Sequence, residues 1–142
     1  MVKFYCPGCW NDFDQDVSSC PFCGLDIHEF WTSKDYVEKL ILALHHPESR
    51  TPIRAAWLLG RTKDPRAVDP LIDVIKTTDD IYIAKAAVSA LGEIDTAEAR
   101  RFLGTLTEHP AKTIRDEAGR ILGGRETSQG LPESPPEKKE MP

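Results

Sequence analysis

The four cysteines of this 142-residue chain fall into two Cys-x-x-Cys pairs, Cys6 with Cys9 and Cys20 with Cys23. In each pair a tight turn aims two thiols at one point, and two such turns provide a tetrahedral set of four thiolates. Zinc prefers this donor set, and the spacing is typical of a structural zinc site. Because four protein ligands leave no coordination position for substrate or water, the motif predicts a bound metal and no reaction.

The residues around the cysteines refine this interpretation. The second pair lies in the run Cys20-Pro21-Phe22-Cys23-Gly24, which resembles one knuckle of a zinc ribbon. The first pair departs from that family, because Trp10 stands where glycine is usual. Iron in a rubredoxin-like site and a redox-active dithiol are the alternatives. The ten residues between the pairs are few for the first, and the second normally lies between a strand and a helix.

Composition and charge restrict the class of protein. Hydrophobic residues make up 40% and charged residues 29% of the chain, as in soluble globular proteins. No apolar run approaches the roughly 20 residues that cross a bilayer. The few residues before Cys6 leave no room for a signal peptide, so we expect a cytoplasmic protein. Residues 1–33 carry one lysine and five carboxylates, a net charge of −4, which argues against binding a phosphate backbone.

The pattern of residues divides the chain into three segments. Residues 1–33 are rich in turn formers and too few to build a core alone, so a metal must supply the missing stability. Phe30 and Trp31, at the end of this segment, are expected to pack it onto the first helix. Residues 34–123 have helical periodicity throughout. Residues 124–142 combine Pro, Glu and Lys without an apolar stripe, which predicts disorder.

A motif ending in Leu-Gly repeats through the second segment. Its glycines are Gly60, Gly92 and Gly123, a period of 32 and then 31 residues. A period of this length, with two helices in each unit, is typical of a helical solenoid. Caps, prolines and the glycines themselves predict the helix boundaries. The predicted helices are 35–46, 51–60, 65–77, 80–92, 96–107 and 110–122.

The first full copy of the repeat carries a family resemblance. Residues 53–60 read Ile-Arg-Ala-Ala-Trp-Leu-Leu-Gly, and Asp-Pro-Arg-Ala-Val follows at 64–68. This pattern resembles the HEAT-like repeat of phycobilin lyases and of many bacterial and archaeal scaffold proteins. The resemblance covers about 50–123, with 34–46 as a partial repeat. It implies a mostly α fold, a short α-solenoid preceded by the four-cysteine zinc ribbon.

Three functions compete on this basis. The first is a non-catalytic adaptor that binds a partner protein through its repeats, as most solenoids do. The second, implied by the resemblance to phycobilin lyases, is an accessory or lyase-like factor that acts on a partner protein. The third is nucleic-acid binding by the ribbon, which the acidic charge of residues 1–33 disfavours.

Other residues with binding potential have a plainer interpretation. Arg61, Lys63 and Arg66 cluster at one turn, where they could bind an anion or an acidic peptide, but nearby acids favour a solvated surface. Trp57 could stack on a ligand, but its place beside the apolar stripe predicts packing in the core or between repeats.

The histidines could act as ligands, but their positions favour structural roles. His45, His46 and His109 precede prolines or lie at expected helix ends, where such side chains commonly contact the last carbonyls. His28 and Glu29 are adjacent, and adjacent residues on a helix point in different directions. We therefore predict no catalytic residue and no metal ligand other than the four cysteines.

The end of the array is the last feature of the sequence with functional meaning. The final helix has no successor, yet it carries an apolar stripe made of Ile114, Ala118, Ile121 and Leu122. Each solenoid unit buries its apolar face against the next one. The stripe therefore predicts a contact site for self-association or for another protein, unless it packs wholly inward beneath a polar outer face.

Overall fold

The computed structural model describes residues 3–128 and shows a two-stranded module followed by a stack of helices. Strands β1 (Phe4–Tyr5) and β2 (Asp12–Phe13) pair antiparallel. The helices are α1 (Ile27–Thr32), α2 (Tyr36–Ala43), α3 (Arg50–Thr62), α4 (Val68–Thr77), α5 (Ile81–Ile94), α6 (Ala97–Thr105) and α7 (Lys112–Ser128). Turns of 3-10 helix lie at Pro65–Ala67 and Leu106–Glu108. None of the helices in this part of the chain is long and apolar enough to cross a membrane.

The helices form two rows, which confirms the predicted α-solenoid. Helices α3, α5 and α7 pack side by side, while α4 and α6 pack against α5, and α2 against α3. The core lies between the rows and is built from aliphatic side chains. Its largest members have no solvent exposure: Leu59, Leu71, Leu91, Leu103 and Ile114. Burying this apolar surface is the main term that holds the rows together.

Short polar side chains cap the start of several helices. Asp35 forms a capping box at the start of α2, because its carboxylate accepts from the Glu38 N–H while the Glu38 carboxylate accepts from the Asp35 N–H. Asp80 accepts from two N–H groups at the start of α5, and Thr96 accepts from one at the start of α6. Each cap satisfies backbone donors that have no partner within the helix.

The repeat glycines lie inside helices and not at their ends, contrary to the sequence prediction. Helix α3 continues past Gly60 to Thr62, and α5 continues past Gly92 to Ile94. A Cβ at Gly60 would lie 3.0 Å from the Ala90 Cα on α5. The glycine therefore permits the backbones of α3 and α5 to approach closely.

The true ends of α3 and α5 are left-handed residues that are not glycine. Lys63 (φ 56°) follows α3, and Asp95 (φ 60°) follows α5. They are 32 residues apart, so the repeat of the sequence reappears as a repeat of backbone conformation. Lys63 Nζ donates to the Glu93 carbonyl oxygen (2.9 Å), which links the ends of the two helices.

The last helix differs most from its prediction. Helix α7 does not stop at Gly123 but continues to Ser128. Ile114 and Ala118 are fully buried against the core, whereas Ile121 and Leu122 are only partly buried. The inner half of the predicted stripe therefore packs inward, and self-association through this helix stays a prediction. Residues 124–142 were predicted to be disordered. The first five of them, 124–128, are helical, and the others lie outside the described residues.

A buried carboxylate also fixes α7. Ser89 Oγ on α5 donates to Glu117 Oε2 (2.7 Å), and Arg120 pairs with the same carboxylate. Burial raises the pKa of Glu117, but the hydrogen bonds from Arg120 and Ser89 outweigh it, so the pKa lies below its ordinary value. The ionised carboxylate therefore ties α7 to its neighbour α5.

Replacing Gly60 with alanine tests the close approach of α3 and α5. We expect Gly60→Ala to lower the free energy of unfolding by about 1–2 kcal/mol, because overpacking outweighs the gain in helix propensity. Gly119→Ala is the matched control, since nothing lies within 4 Å of a Cβ there, and it should raise stability by about 0.5–1 kcal/mol. Urea unfolding followed by circular dichroism measures both. A stabilised Gly60→Ala protein would contradict the tight packing.

Candidate metal centre

The structure brings all four cysteine sulfurs together. The four Sγ atoms lie within 4.8 Å of one another, with Cys6 and Cys23 3.5 Å apart and Cys9 and Cys20 3.7 Å apart. A tetrahedral zinc with bonds of about 2.3 Å places its sulfur ligands roughly 3.8 Å apart. The donor set and its spacing therefore fit one tetrahedral ion, held by the four predicted ligands.

Two turns of the same backbone design position the thiols. In each knuckle the first cysteine donates to a carbonyl five residues on and accepts from an N–H four residues on. These bonds are Cys6 N to Asn11 O, Trp10 N to Cys6 O, Cys20 N to Leu25 O and Gly24 N to Cys20 O. The pairing of β1 with β2 closes the first knuckle, and a bridge between Ser19 and Asp26 closes the second.

The residue after each pair adopts a left-handed conformation. Gly24 has φ 81°, which glycine adopts without steric cost, while Trp10 has φ 61° at the equivalent place. A bulky residue with positive φ is an outlier whose conformation the surroundings must impose. The sequence showed that Trp10 occupies a glycine position, and the structure shows that the turn keeps its shape.

N–H groups donate hydrogen bonds to three of the sulfurs. Gly8 N donates to Cys6 Sγ (3.2 Å), and Phe22 N donates to Cys20 Sγ (3.3 Å) at the equivalent place in the second knuckle. The Asn11 side-chain amide donates to Cys9 Sγ (3.1 Å). Such donors orient the ligands of a metal and spread the negative charge of the thiolates.

The thiols differ in acidity. Burial raises the pKa of Cys20, but hydrogen bonds from the Cys23 and Phe22 N–H groups lower it more, to about 6. The Leu25 N–H lowers the pKa of Cys23, but the neighbouring Cys6 sulfur and burial raise it to about 12. A metal that binds four thiolates must displace the protons that remain, so its affinity depends on pH.

An aromatic contact with His46 joins this module to the helices. The Tyr5 and Trp10 rings meet the His46 ring edge-on, with centroids 4.4 Å and 5.3 Å away. The sequence assigned this contact to Phe30 and Trp31. Instead, Trp31 packs on the small core of the metal module, because α1 belongs to that module. No sequence signal indicated the partnership with His46.

The histidines before prolines share one local structure. His46 Nδ1 accepts from the Glu48 N–H (3.1 Å), and His109 Nδ1 accepts from the Ala111 N–H (3.0 Å). The rings therefore contact backbone N–H groups two residues on, whereas the sequence predicted contact with helix carbonyls.

The basic cluster predicted at one turn is dispersed. Arg66 pairs with Asp35 and Asp64, Lys63 reaches Glu93, and the Arg61 guanidinium lies over the Trp57 ring at 5.2 Å. The first two cations are neutralised by carboxylates, so these residues do not form one anion site.

Trp57 is not packed in the core, so that part of its prediction was wrong, although it does line a recess between α3 and α5. Its exposed fraction is 58%, and Tyr82 on α5 is 71% exposed. The motif places Trp57 beside buried Ala56, but its own direction on α3 points outward.

A comparison with known protein families is consistent with this architecture. The family model for HEAT repeats matches residues 37–132. The chain belongs to the HEAT repeat family. No curated protein matches it. The match confirms the repeat family predicted from 53–60 and leaves the phycobilin lyase type a hypothesis.

The environment of His46 makes stability depend on pH. Burial lowers its pKa, although Glu48 raises it in part. The contribution of His46 to stability should be full above pH about 6.5, the pKa of histidine in the unfolded chain. It should fall as the pH drops towards the lower pKa of His46 in the folded protein. His46→Phe keeps a ring against Tyr5 and Trp10 but has no proton to bind. We expect the melting temperature of this variant to fall less, as the pH drops below about 6.5, than that of the unmodified protein. Thermal melts at matched metal content measure this, and equal losses would contradict it.

Proposed function

We propose that this protein is a non-catalytic adaptor that binds a partner protein through its HEAT repeats, with a structural zinc in its N-terminal module. The exposed aromatic side chains of Trp57 and Tyr82, on neighbouring helices of one row, carry the proposal. Large aromatic residues dominate the energetics of protein interfaces, and HEAT repeats are generally protein-interaction modules. Two such residues in solvent, on helices that pack against each other, support a site that a partner covers.

Zinc is the metal we propose for the four thiols. The ligands are all sulfur, their spacing suits a tetrahedron, and four of them complete the coordination of zinc. The metal would cross-link a module whose own core consists of few residues. A reducing compartment keeps thiols available for a metal, so the proposal includes a cytoplasmic location.

Metal analysis tests the zinc assignment. We expect one zinc per chain, and Cys20→Ser should lose it and unfold the module while the circular dichroism of the helices largely remains. Metal ligation supplies about 10–16 kcal/mol in zinc-finger peptides, more than so small a core can replace. Ser18→Ala, an exposed change in the same module, is the control. Iron in the purified protein, or reduced thiols without metal, would overturn the assignment.

A reconstituted complex tests the adaptor role. Cross-linking with the full zinc-loaded chain identifies candidate partners, which are then purified. We expect a stoichiometric complex in sedimentation, with cross-links on α3 and α5 and no change in the covalent mass of the partner. A partner whose mass changes would support the lyase-like alternative instead. Failure of every purified candidate to form a complex would count against both.

A further inference from the structure

Helix α3 presents a continuous basic and aromatic stripe to solvent. Arg50, Arg54, Trp57 and Arg61 follow one another at intervals of four, three and four residues, and all four are exposed. Residues at these intervals lie on one face of a helix. We call this set the α3 stripe. It is about 16 Å long, from the rise of an α-helix per residue.

The cations of the α3 stripe have no acidic partner in the described part of the chain. Within residues 3–128, Arg50, Arg54 and Arg61 form no ion pair, whereas Arg66, Arg100 and Arg120 each do. Helix α3 contains no aspartate or glutamate. A chain with a net charge of −5 thus has three unpaired guanidinium groups on one helix face.

The N-terminal end of this arrangement lowers helix stability, whereas Arg61 in the last turn suits the helix dipole. Arg50 is the first residue of α3, Arg54 lies close behind it, and the first turn has no acidic residue. Positive side chains near a helix N-terminus oppose the helix dipole. Residues that break a local stability rule without a compensating contact occur mainly at functional sites.

A recess with apolar walls lies beside the stripe. Ile53 and Trp57 form its wall on α3, and the small residues Ala86, Ser89 and Ala90 form its wall on α5. The close approach of the two helices at Gly60 narrows the space between them. The recess therefore suits an apolar side chain with charged groups on either side of it.

We propose that the α3 stripe binds an acidic segment of the partner protein, with one apolar or aromatic side chain of that segment in the recess. This inference rests on the proposed adaptor function. Carboxylates would pair with the three guanidinium groups, whose planar geometry suits bidentate hydrogen bonds. A length of about 16 Å accommodates roughly five residues of extended chain.

The surroundings of the stripe favour a peptide over a nucleic acid. Glu48 lines the same surface recess as Arg50 and Arg54 without forming an ion pair with either. Glu93, which pairs with Lys63, lines the recess that holds Arg61. A phosphate backbone that continued past the stripe would meet these carboxylates. Nucleic-acid binding normally requires a broad basic surface, whereas a short acidic segment can end where the stripe ends.

Fluorescence anisotropy with the full zinc-loaded protein tests the inference. The probe is a labelled peptide of about twelve residues, made of glutamate and aspartate around one leucine and one phenylalanine. We expect it to bind at least about ten-fold more tightly than a version with lysine in place of the acids, and to weaken as salt screens the charges. A version with serine in place of the apolar residues should also bind more weakly.

Two variants and a control locate the binding. Arg54→Glu and Trp57→Ser should each weaken the acidic peptide by about ten-fold or more, as changes at interface centres do. Lys39→Glu is the matched control, since Lys39 is exposed on α2 and lies outside the stripe. It should change binding less than about two-fold. Thermal melts show whether each variant is folded.

The outcomes separate the inference from the proposed function. Equal binding of acidic and lysine peptides, no detectable binding, or an effect of Lys39→Glu as large as that of Arg54→Glu would overturn the inference. Tighter binding of a single-stranded oligonucleotide than of the acidic peptide would also overturn it. If a purified partner binds Arg54→Glu and Trp57→Ser normally, the stripe is not its site, but the adaptor function stands. If no partner binds the unmodified protein, the adaptor function itself fails.

Discussion

Helix α5 is packed on several sides, and the rest of the helical array depends on that packing. It contacts α3 and α7 within its own row and α4 and α6 in the other. Gly60 permits the approach of α3, and Gly92 accommodates Ile121 of α7, which would lie 2.9 Å from an added Cβ. Two glycines that weaken their own helices thus permit close packing between helices.

The metal module is stabilised in a different way from the helical array. Its buried residues are few, so hydrophobic burial alone cannot fix its fold. Convergent sulfurs and the N–H groups that point at them supply the missing constraint when a metal binds. The module then meets the helices through the Tyr5 and Trp10 rings at His46, and Trp10 makes this contact from a left-handed backbone conformation.

Charge is distributed unevenly over this frame. Several cations of the described helices pair with carboxylates, as Arg66 does with Asp35 and Asp64. On α3 the cations lie beside an aromatic ring and beside each other. In a repeat protein the buried face of each helix determines how the repeats stack. The charge of the exposed face can therefore vary without changing the fold, and it can determine which partner binds.

The sequence alone predicted the helical repeats and the four cysteines that the structure brings together. Cys-x-x-Cys spacing is a local property, since a tight turn fixes where two thiols point, and the 32-residue period reflects stacking that each unit repeats. The helices could also be predicted from local signals, because periodicity and caps act within a few residues.

The tertiary structure decided how neighbouring elements meet. Gly60 predicts a helix end by its local preference, but packing against Ala90 outweighs that preference and the helix continues. Trp57 has a large apolar side chain, which is typical of a core residue. Only the placement of α5 shows that it faces solvent. Contacts between distant residues, such as Trp10 with His46, depend on how whole elements dock, which the pattern of either segment alone does not contain.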